Sequence, residues 1–149
     1  MLPNKKAMVA SSPTFEAIDL RELEMTSILM LDDGVGLKRQ FDALTDVPHM
    51  FVTLTKTGAE AVREIMETDF DVIICNMQMP LMSVEMFYRA VERVKPRLCN
   101  RFIFVADAET SRRAEKFIEK VDGLLLFKPV KTSQLTRIVT LAAARGRST

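Results

Sequence analysis

Short apolar runs that alternate with segments of helical spacing constrain this chain more than any other feature. From Ser27 onwards, five such runs alternate with five amphipathic segments. Two of the runs, 71–76 (DVIICN) and 101–106 (RFIFVA), are apolar on both sides, as is typical of strands buried between two layers of helices. Strands and helices that alternate in this way predict an α/β protein with a five-stranded parallel sheet and helices on both faces.

The boundaries of these segments follow from the hydrophobic pattern. Strands are predicted at 27–31, 50–55, 71–76, 101–106 and 123–127, and helices at 35–45, 57–68, 84–95, 109–120 and 131–144. Before them, residues 14–24 (TFEAIDLRELE) have roughly helical spacing after a threonine that can cap a helix. We therefore predict an N-terminal tail with a short helix at 1–25, one domain at 26–144 and a C-terminal tail at 145–149.

The composition narrows the class of protein. A chain of 149 residues with 48% hydrophobic and 28% charged residues suits a single globular domain. The net charge of +1 gives no overall attraction to nucleic acid or to an anionic membrane, and no apolar stretch is long enough to span a bilayer. Two isolated cysteines, Cys75 and Cys99, indicate a reducing compartment. We therefore expect a cytoplasmic protein that binds neither membranes nor nucleic acid.

Several residues that could take part in chemistry follow the predicted strands, at the sheet edge where open α/β sheets bind ligands. An adjacent pair of aspartates suits a hard cation such as magnesium, although a lone Asp-Asp pair is more often a polar turn at a strand end. A lysine there can neutralise a phosphate or pair with the acids. The residues at these strand ends are Asp32, Asp33, Asn76, Ala106, Asp107 and Lys128.

Four segments in the same order resemble a known family. They are ILMLDD (28–33), DVIICNMQMP (71–80), RFIFVA (101–106) and LFKPV (126–130). Their order and spacing resemble the receiver domain of bacterial two-component response regulators, over about residues 27–144. The resemblance implies a flavodoxin-like or CheY-like fold with strand order 2-1-3-4-5, here with an N-terminal extension. It also implies a role in signal transduction or a phosphorelay, without enzymatic activity of its own.

The resemblance gives the residues at the strand ends expected roles. Asn76 occupies the position of the aspartate that accepts a phosphoryl group from a histidine kinase. Asp32 and Asp33, with Asn76 and the backbone of Gln78, occupy the positions that hold magnesium in the family. Lys128 occupies the position of the lysine that binds the phosphate. Because an uncharged amide removes one negative charge from the cation site, we expect at most weak magnesium binding and no certain cofactor.

The sequence departs from the family pattern at several positions. The amide of Asn76 cannot form an acyl phosphate, because its oxygen is a poor nucleophile and its nitrogen lone pair is delocalised. Ala106 lacks the hydroxyl that binds phosphate in the family, and Leu125 replaces the aromatic residue that switches position. Ser83 and Val84 replace the usual Asp-Gly turn, and a valine disfavours the positive φ that glycine allows. We therefore predict a pseudo-receiver that acts as a phosphorylation-independent interaction module.

The family also predicts the surface that such a module would use. In receivers, the fourth helix, fifth strand and fifth helix form the face that contacts partners and second copies. The partner would be a histidine kinase, a regulator or an output protein, and self-pairing as a homodimer is an alternative. Charges on such a helix face are also common on surfaces that contact only solvent. The candidate contact residues are Arg112, Arg113, Lys116, Lys120 and Lys131.

Two other functions remain compatible with the sequence. The chain could be a conventional receiver whose acceptor aspartate was replaced by Asn76, either by engineering or to lock one state. It could also be a small nucleotide- or flavin-binding protein on a related sheet, although the glycine-rich motif and P-loop of such proteins are absent from the sequence. We expect Asp107 to cap a helix or face solvent, and not to accept phosphate.

Overall fold

The computed structural model describes residues 25–79, 83–108 and 111–147, without the side chains of 111–114 and 146–147. The predicted helix at 14–24 and the residues around Pro80 lie outside this part of the chain. Five strands are described: β1 (Thr26–Leu31), β2 (Met50–Thr55), β3 (Val72–Asn76), β4 (Phe102–Ala106) and β5 (Leu124–Phe127). Five α-helices alternate with the strands along the chain: α1 (Lys38–Thr45), α2 (Gly58–Glu67), α3 (Val84–Val94), α4 (Ser111–Lys120) and α5 (Thr132–Arg147).

The strands form one parallel sheet in the order β2-β1-β3-β4-β5. This confirms both the predicted fold class and the predicted strand order. All five residues of β3 and all five of β4 are buried, because helices cover both faces of the sheet at its centre. Continuous apolar strands therefore occupy the middle of the sheet, as the sequence pattern indicated.

The core consists of two layers, one on each face of the sheet. One layer joins β1, β3 and β4 to α2, α3 and α4, and the other joins the sheet to α1 and α5. In the first layer, the rings of Phe102 and Phe104 are stacked with centroids 5.3 Å apart, and the Phe87 ring meets Phe102 at 5.8 Å. All three phenylalanines are fully buried, and each such side chain stabilises the fold by about 1.5–3 kcal/mol.

Side-chain alternation along the strands decides which strand-end residues meet. Met30 of β1 is opposite Ile74 of β3, and both belong to the layer that contains α1 and α5. Because side chains alternate with a period of two, Asp32 and Asn76 continue the same side at the carboxyl edge of the sheet. Leu126 of β5 belongs to this layer as well. The register of the sheet therefore brings the strand-end residues of the site to one side of the same edge.

Helix α3 begins at the two residues, Ser83 and Val84, that replace the usual Asp-Gly turn of the family. Ser83 precedes the helix in an extended conformation, and its hydroxyl accepts a hydrogen bond of 3.1 Å from the N–H of Met86. Val84 is the first helical residue and is buried in the core. A serine at this position stabilises a helix by about 1 kcal/mol relative to alanine. Ser83 is therefore the N-cap of α3.

Two helix boundaries differ by three residues from the sequence-based predictions, and one described element was not predicted. Helix α1 begins at Lys38 and not at Val35, because the residues before it form a loop held by two aspartates. Helix α5 continues to Arg147, beyond the predicted end at Ala144. A 3₁₀ helix at Pro96–Arg101, which was not predicted, connects α3 to β4.

Candidate functional site

Asn76 is the last residue of β3 and lies at the centre of a polar cluster. Only 2% of its surface is exposed. Its Nδ2 donates a hydrogen bond of 2.7 Å to Oδ1 of Asp32, and its Oδ1 accepts from Nζ of Lys128 at 3.1 Å and from the N–H of Gln78 at 3.0 Å. Carboxylates only accept and ammonium groups only donate, so this orientation of the amide satisfies all three neighbours.

The two adjacent aspartates shape the connection between β1 and α1. Oδ2 of the buried Asp32 accepts hydrogen bonds from the N–H groups of Gly34 at 2.9 Å and Leu37 at 3.1 Å. Oδ1 of the exposed Asp33 accepts from the N–H groups of residues 35–36, at 2.8 and 2.9 Å. The aspartate pair therefore acts as the polar turn at a strand end that was the simpler interpretation of the sequence.

The same backbone hydrogen bonds affect the ionisation of Asp33. The N–H of Gly36, and next that of Val35, hold the pKa of this carboxyl below its ordinary value. Hydrogen bonds to the charged form favour it over the neutral form. Asp33 therefore stays ionised at any pH near neutrality, and its negative charge helps to fix the loop.

Gly36 brings the backbone of this loop against the side chain of Asn76. A Cβ atom at position 36 would lie 2.8 Å from Nδ2 of Asn76 and 3.1 Å from Oδ1 of Asp32. Both distances are too short for an ordinary contact, so any side chain at this position would displace the Asn76–Asp32 hydrogen bond. Glycine is therefore required here for close approach of the backbone.

Lys128 joins the end of β5 to the cluster. Its Nζ donates to Oδ1 of Asn76 and also to Oε1 of Gln78, each at 3.1 Å. The other end of the Gln78 amide, Nε2, donates to Oδ2 of Asp107, which follows β4. The peptide bond between Lys128 and Pro129 is cis. The described polar cluster thus links residues that follow β1, β3, β4 and β5.

The donor set of this cluster does not fit a magnesium ion. Magnesium takes oxygen ligands in near-octahedral geometry, whereas Asn76 presents an N–H group to Asp32. Both carboxylate oxygens of Asp32 and one of Asp33 already accept hydrogen bonds. Within the described residues, no group of three or more His, Cys, Asp or Glu side chains could hold a metal ion. The magnesium site expected at Asp32, Asp33, Asn76 and the Gln78 backbone therefore stays a prediction without geometric support.

A comparison with protein families decides what kind of domain carries this site. The model of the response regulator receiver domain matches residues 28–140. The chain belongs to this receiver family. The match spans every described strand except the first two residues of β1. It supports a receiver in two-component signalling and favours it over the nucleotide- or flavin-binding alternative. A search of the curated proteins finds no match.

Solved structures show the same fold. A response regulator receiver domain protein from Clostridium thermocellum is 21% identical, with a TM-score of 0.73 over 83% of this chain and 98% of that chain. A chemotaxis response regulator of Vibrio cholerae is 22% identical, with a TM-score of 0.66 over 79% and 98%. A structure described as adenylate cyclase from Rhodopirellula baltica is 20% identical, with a TM-score of 0.73 over 84% and 91%. At these identities the likeness shows the fold alone.

Ala106 and Leu125, which the resemblance equates with the switch residues of the family, follow the strand alternation to the other face of the sheet from Asn76. Ala106 ends β4 and is fully buried, and its carbonyl accepts a 2.9 Å hydrogen bond from the N–H of Lys128. Leu125 is partly buried in β5 and packs against the core layer that contains α3 and α4. Both side chains are aliphatic, so neither offers a hydrogen bond to a group bound at the cluster.

The predicted interaction residues are partly described. Lys116 and Lys120 are exposed on α4, and Lys131 is exposed just before α5. The side chains of Arg112 and Arg113 lie outside the described part of the structure.

Within the described residues, no helix combines the length and apolar character needed to cross a membrane.

Sequence reasoning missed two residues of the site. Gly36 was treated as part of a helix, although a second glycine so close to the Asp32-Asp33 pair signals a loop. Gln78 was considered only for its backbone, whereas its side chain contacts both Lys128 and Asp107. A polar side chain two residues beyond a strand end was the available signal, but nothing in the sequence showed its partners.

Proposed function

We propose that this receiver signals through protein–protein contacts without accepting a phosphoryl group. One observation supports this proposal above the others. The side chain at the end of β3 is an amide, Asn76, that already bonds to Asp32, to Lys128 and to the next backbone turn. In this receiver, the polar cluster at the carboxyl edge of the sheet therefore has a fully hydrogen-bonded amide where the family has a reactive carboxylate.

The chemistry of an amide argues against phosphoryl transfer at this position. An acyl phosphate forms when a carboxylate oxygen attacks phosphorus, whereas an amide oxygen is a poor nucleophile and the Nδ2 lone pair is delocalised into the carbonyl. In addition, Nδ2 of Asn76 donates to Asp32, and so it presents a hydrogen and not a lone pair to its surroundings. The nearby carboxylate of Asp32 is buried and accepts three hydrogen bonds, which leaves it poorly placed to react.

The positions that would respond to a phosphate support the same proposal. Ala106 has a methyl group where the family uses a hydroxyl, and Leu125 has no ring that could change between exposed and buried positions. Ala106 is fully buried, and Leu125 packs against the core layer that contains α3 and α4. A phosphate at the cluster would therefore have no side chains through which to change the surface of α4 and β5.

The proposed contact surface is the face formed by α4, β5 and α5. Phe127, at the end of β5, is 49% exposed, and Leu141 on α5 is 52% exposed. Lys116 and Lys120 on α4 and Lys131 just before α5 are exposed as well. Aromatic and aliphatic residues surrounded by charges are typical of protein contact surfaces. The partner on this face would be a kinase, a regulator, an output protein or a second copy.

The proposal is tested by treating the unaltered protein with acetyl phosphate and a magnesium salt. Intact-mass spectrometry should show no added phosphoryl group, and hydroxylamine treatment should release none. The Asn76→Asp variant is the matched control, because it restores a carboxylate at the same place. A labile phosphoryl adduct on the unaltered chain would disprove the proposal, whatever residue carries it.

A conventional receiver with a replaced acceptor is the second candidate. It is favoured by the hydrogen bonds of Asp32 and Lys128 to the side chain at position 76, since both residues belong to the set that the family uses. If Asn76→Asp becomes phosphorylated rapidly and its self-association changes as a result, the connection from position 76 to the contact surface is intact and the second candidate is correct. If that variant takes up phosphate without any change in association, the relay through Ala106 and Leu125 is absent, as we propose.

A further inference from the structure

Gln78 makes two side-chain contacts that the family comparison does not explain. Its carbonyl oxygen accepts a hydrogen bond of 3.1 Å from Nζ of Lys128, and its amide nitrogen donates to the carboxylate of Asp107. The polarity of each end matches its partner, since the ammonium can only donate and the carboxylate can only accept. An exposed glutamine usually bonds to water, so a side chain with both ends engaged by charged groups is unusual. We call these three residues the Gln78 bridge.

The bridge connects strand ends that are next to each other in the sheet. Gln78 follows β3, Asp107 follows β4, and Lys128 follows β5. Backbone hydrogen bonds continue one step beyond the strands, from the N–H of Met77 to the carbonyl of Val105 at 2.8 Å and from the N–H of Lys128 to that of Ala106 at 2.9 Å. The Gln78 bridge lies just beyond these last bonds and fastens the same three chain segments by their side chains.

Both helices of the proposed contact face start close to the bridge. Helix α4 begins shortly after Asp107, and α5 begins shortly after Lys128. We propose that Gln78 is a positioning residue that holds the ends of β4 and β5, and with them the starts of α4 and α5, in one arrangement. The inference rests on the proposed function in one respect, namely that this arrangement is permanent and needs no phosphate.

The charges of the bridge explain why an amide suits this position. Glutamate at position 78 would keep its attraction to Lys128, but would place a negative charge against the carboxylate of Asp107. Like charges in direct contact repel, so this half of the bridge would open. Replacing Asp107 by asparagine as well would restore it, because the asparagine amide can donate to the new carboxylate. The direction of the hydrogen bond would be reversed while the connection remained.

This reversal provides a specific test on the full chain. Amide hydrogen exchange is followed by NMR at the N–H groups of Met77 and Lys128, which report on the last backbone bonds between β3, β4 and β5. Gln78→Ala and Gln78→Glu should each exchange at least about fivefold faster there, the factor expected for loss of one net hydrogen bond. The double variant Q78E/D107N should return to the unaltered rate. Urea unfolding of every variant verifies that global stability is not the cause.

Gln40→Ala is the matched control. It removes another glutamine at the same edge, whose amide donates a 2.8 Å hydrogen bond to the carbonyl of Val130. Exchange at Met77 and Lys128 should not change in this variant. Unaltered exchange in Gln78→Ala, or no recovery in the double variant, would overturn the inference. Neither result depends on a phosphoryl donor, so the bridge and the proposed function fail by separate experiments.

Discussion

Replacing Asn76 by aspartate is the most informative perturbation of this receiver, because it changes one donor into an acceptor without changing size. In the structure, Nδ2 of Asn76 is 2.7 Å from Oδ1 of Asp32, and both residues are at least 98% buried. The variant would place two carboxylate oxygens at that distance. It would also place a full negative charge 3.1 Å from Nζ of Lys128.

The structure allows the cost of this change to be worked out. At an effective dielectric constant of about 20, two unit charges at these distances interact by about 6 kcal/mol for the repulsion and about 5 kcal/mol for the attraction. The two terms nearly cancel. The remaining loss is the hydrogen bond to a charged acceptor, worth about 1.5–3 kcal/mol. We therefore expect Asn76→Asp to be destabilised by about 2–4 kcal/mol at neutral pH without divalent cations.

Urea unfolding monitored by circular dichroism measures this loss. In EDTA, the variant should unfold at a lower urea concentration than the unaltered protein. A magnesium salt should restore most of the loss, because a cation at 100 times its dissociation constant adds about 2.7 kcal/mol. Acidification should reduce the deficit as well. The neutral carboxyl at position 76 can donate a hydrogen bond to Asp32 and the ionised one cannot, which raises its folded-state pKa. It is therefore least destabilising below its ordinary pKa, near 3.9, and the penalty develops as the pH rises through the raised value.

The unaltered protein and a surface variant are the controls. Magnesium should leave the unfolding midpoint of the unaltered chain unchanged, since its donor set does not fit the ion. Asn100→Asp adds the same charge at an exposed position and should change stability by less than about 0.5 kcal/mol. If Asn76→Asp is as stable as the unaltered protein in EDTA, the hydrogen bond between Asn76 and Asp32 does not hold the site together, and the reasoning above is refuted.

Three further predictions concern single residues. Gly36→Ala should cost about 1–3 kcal/mol in urea unfolding, because its Cβ would lie 2.8 Å from Nδ2 of Asn76, whereas Val35→Ala at a 78% exposed position should have little effect. Burial raises the pKa of Tyr88, the single tyrosine, to about 12, so the absorbance of its phenolate should develop only near that pH. The stability that Tyr88 contributes should be lost as the pH rises from about 10 to about 12, and a titration midpoint near 10 in the folded protein would contradict this. Because backbone hydrogen bonds hold the pKa of Asp33 below its ordinary value, its contribution is complete above about pH 4 and is lost as the pH falls through the lower folded-state value; Asp33→Asn should flatten the acid limb of thermal stability, and an unchanged limb would argue against these bonds.

The central strands were predictable because their environment leaves little choice of sequence. Residues of β3 and β4 contact helices on both sides, so nearly all of these positions are apolar, and runs this short fit buried parallel strands better than helices. The strand ends followed directly, and Asn76 could be placed at the carboxyl edge from the pattern alone. The family resemblance then supplied the strand order, which local patterns do not contain.

The start of α1 could not be predicted in the same way. Residues 35–37 have helical spacing, but the carboxylates of Asp32 and Asp33 accept hydrogen bonds from the backbone N–H groups of this segment and hold it as a loop. Local propensity favoured a helix, and contacts with side chains just upstream decided otherwise. The close approach of Gly36 to Asn76 depends on this loop, so it could not be predicted from the sequence either.

The amino-acid sequence by itself determined the layers of this receiver and the side chains available at its strand ends, because hydrophobic periodicity and the identity of a side chain are local properties. It showed an amide at position 76, a methyl group at 106 and an aliphatic side chain at 125. Only the tertiary structure decided what the amide does in their place. Hydrogen bonds among Asp32, Asn76, Gln78 and Lys128 join residues far apart along the chain, and the register of neighbouring strands alone brings their donors and acceptors within bonding distance.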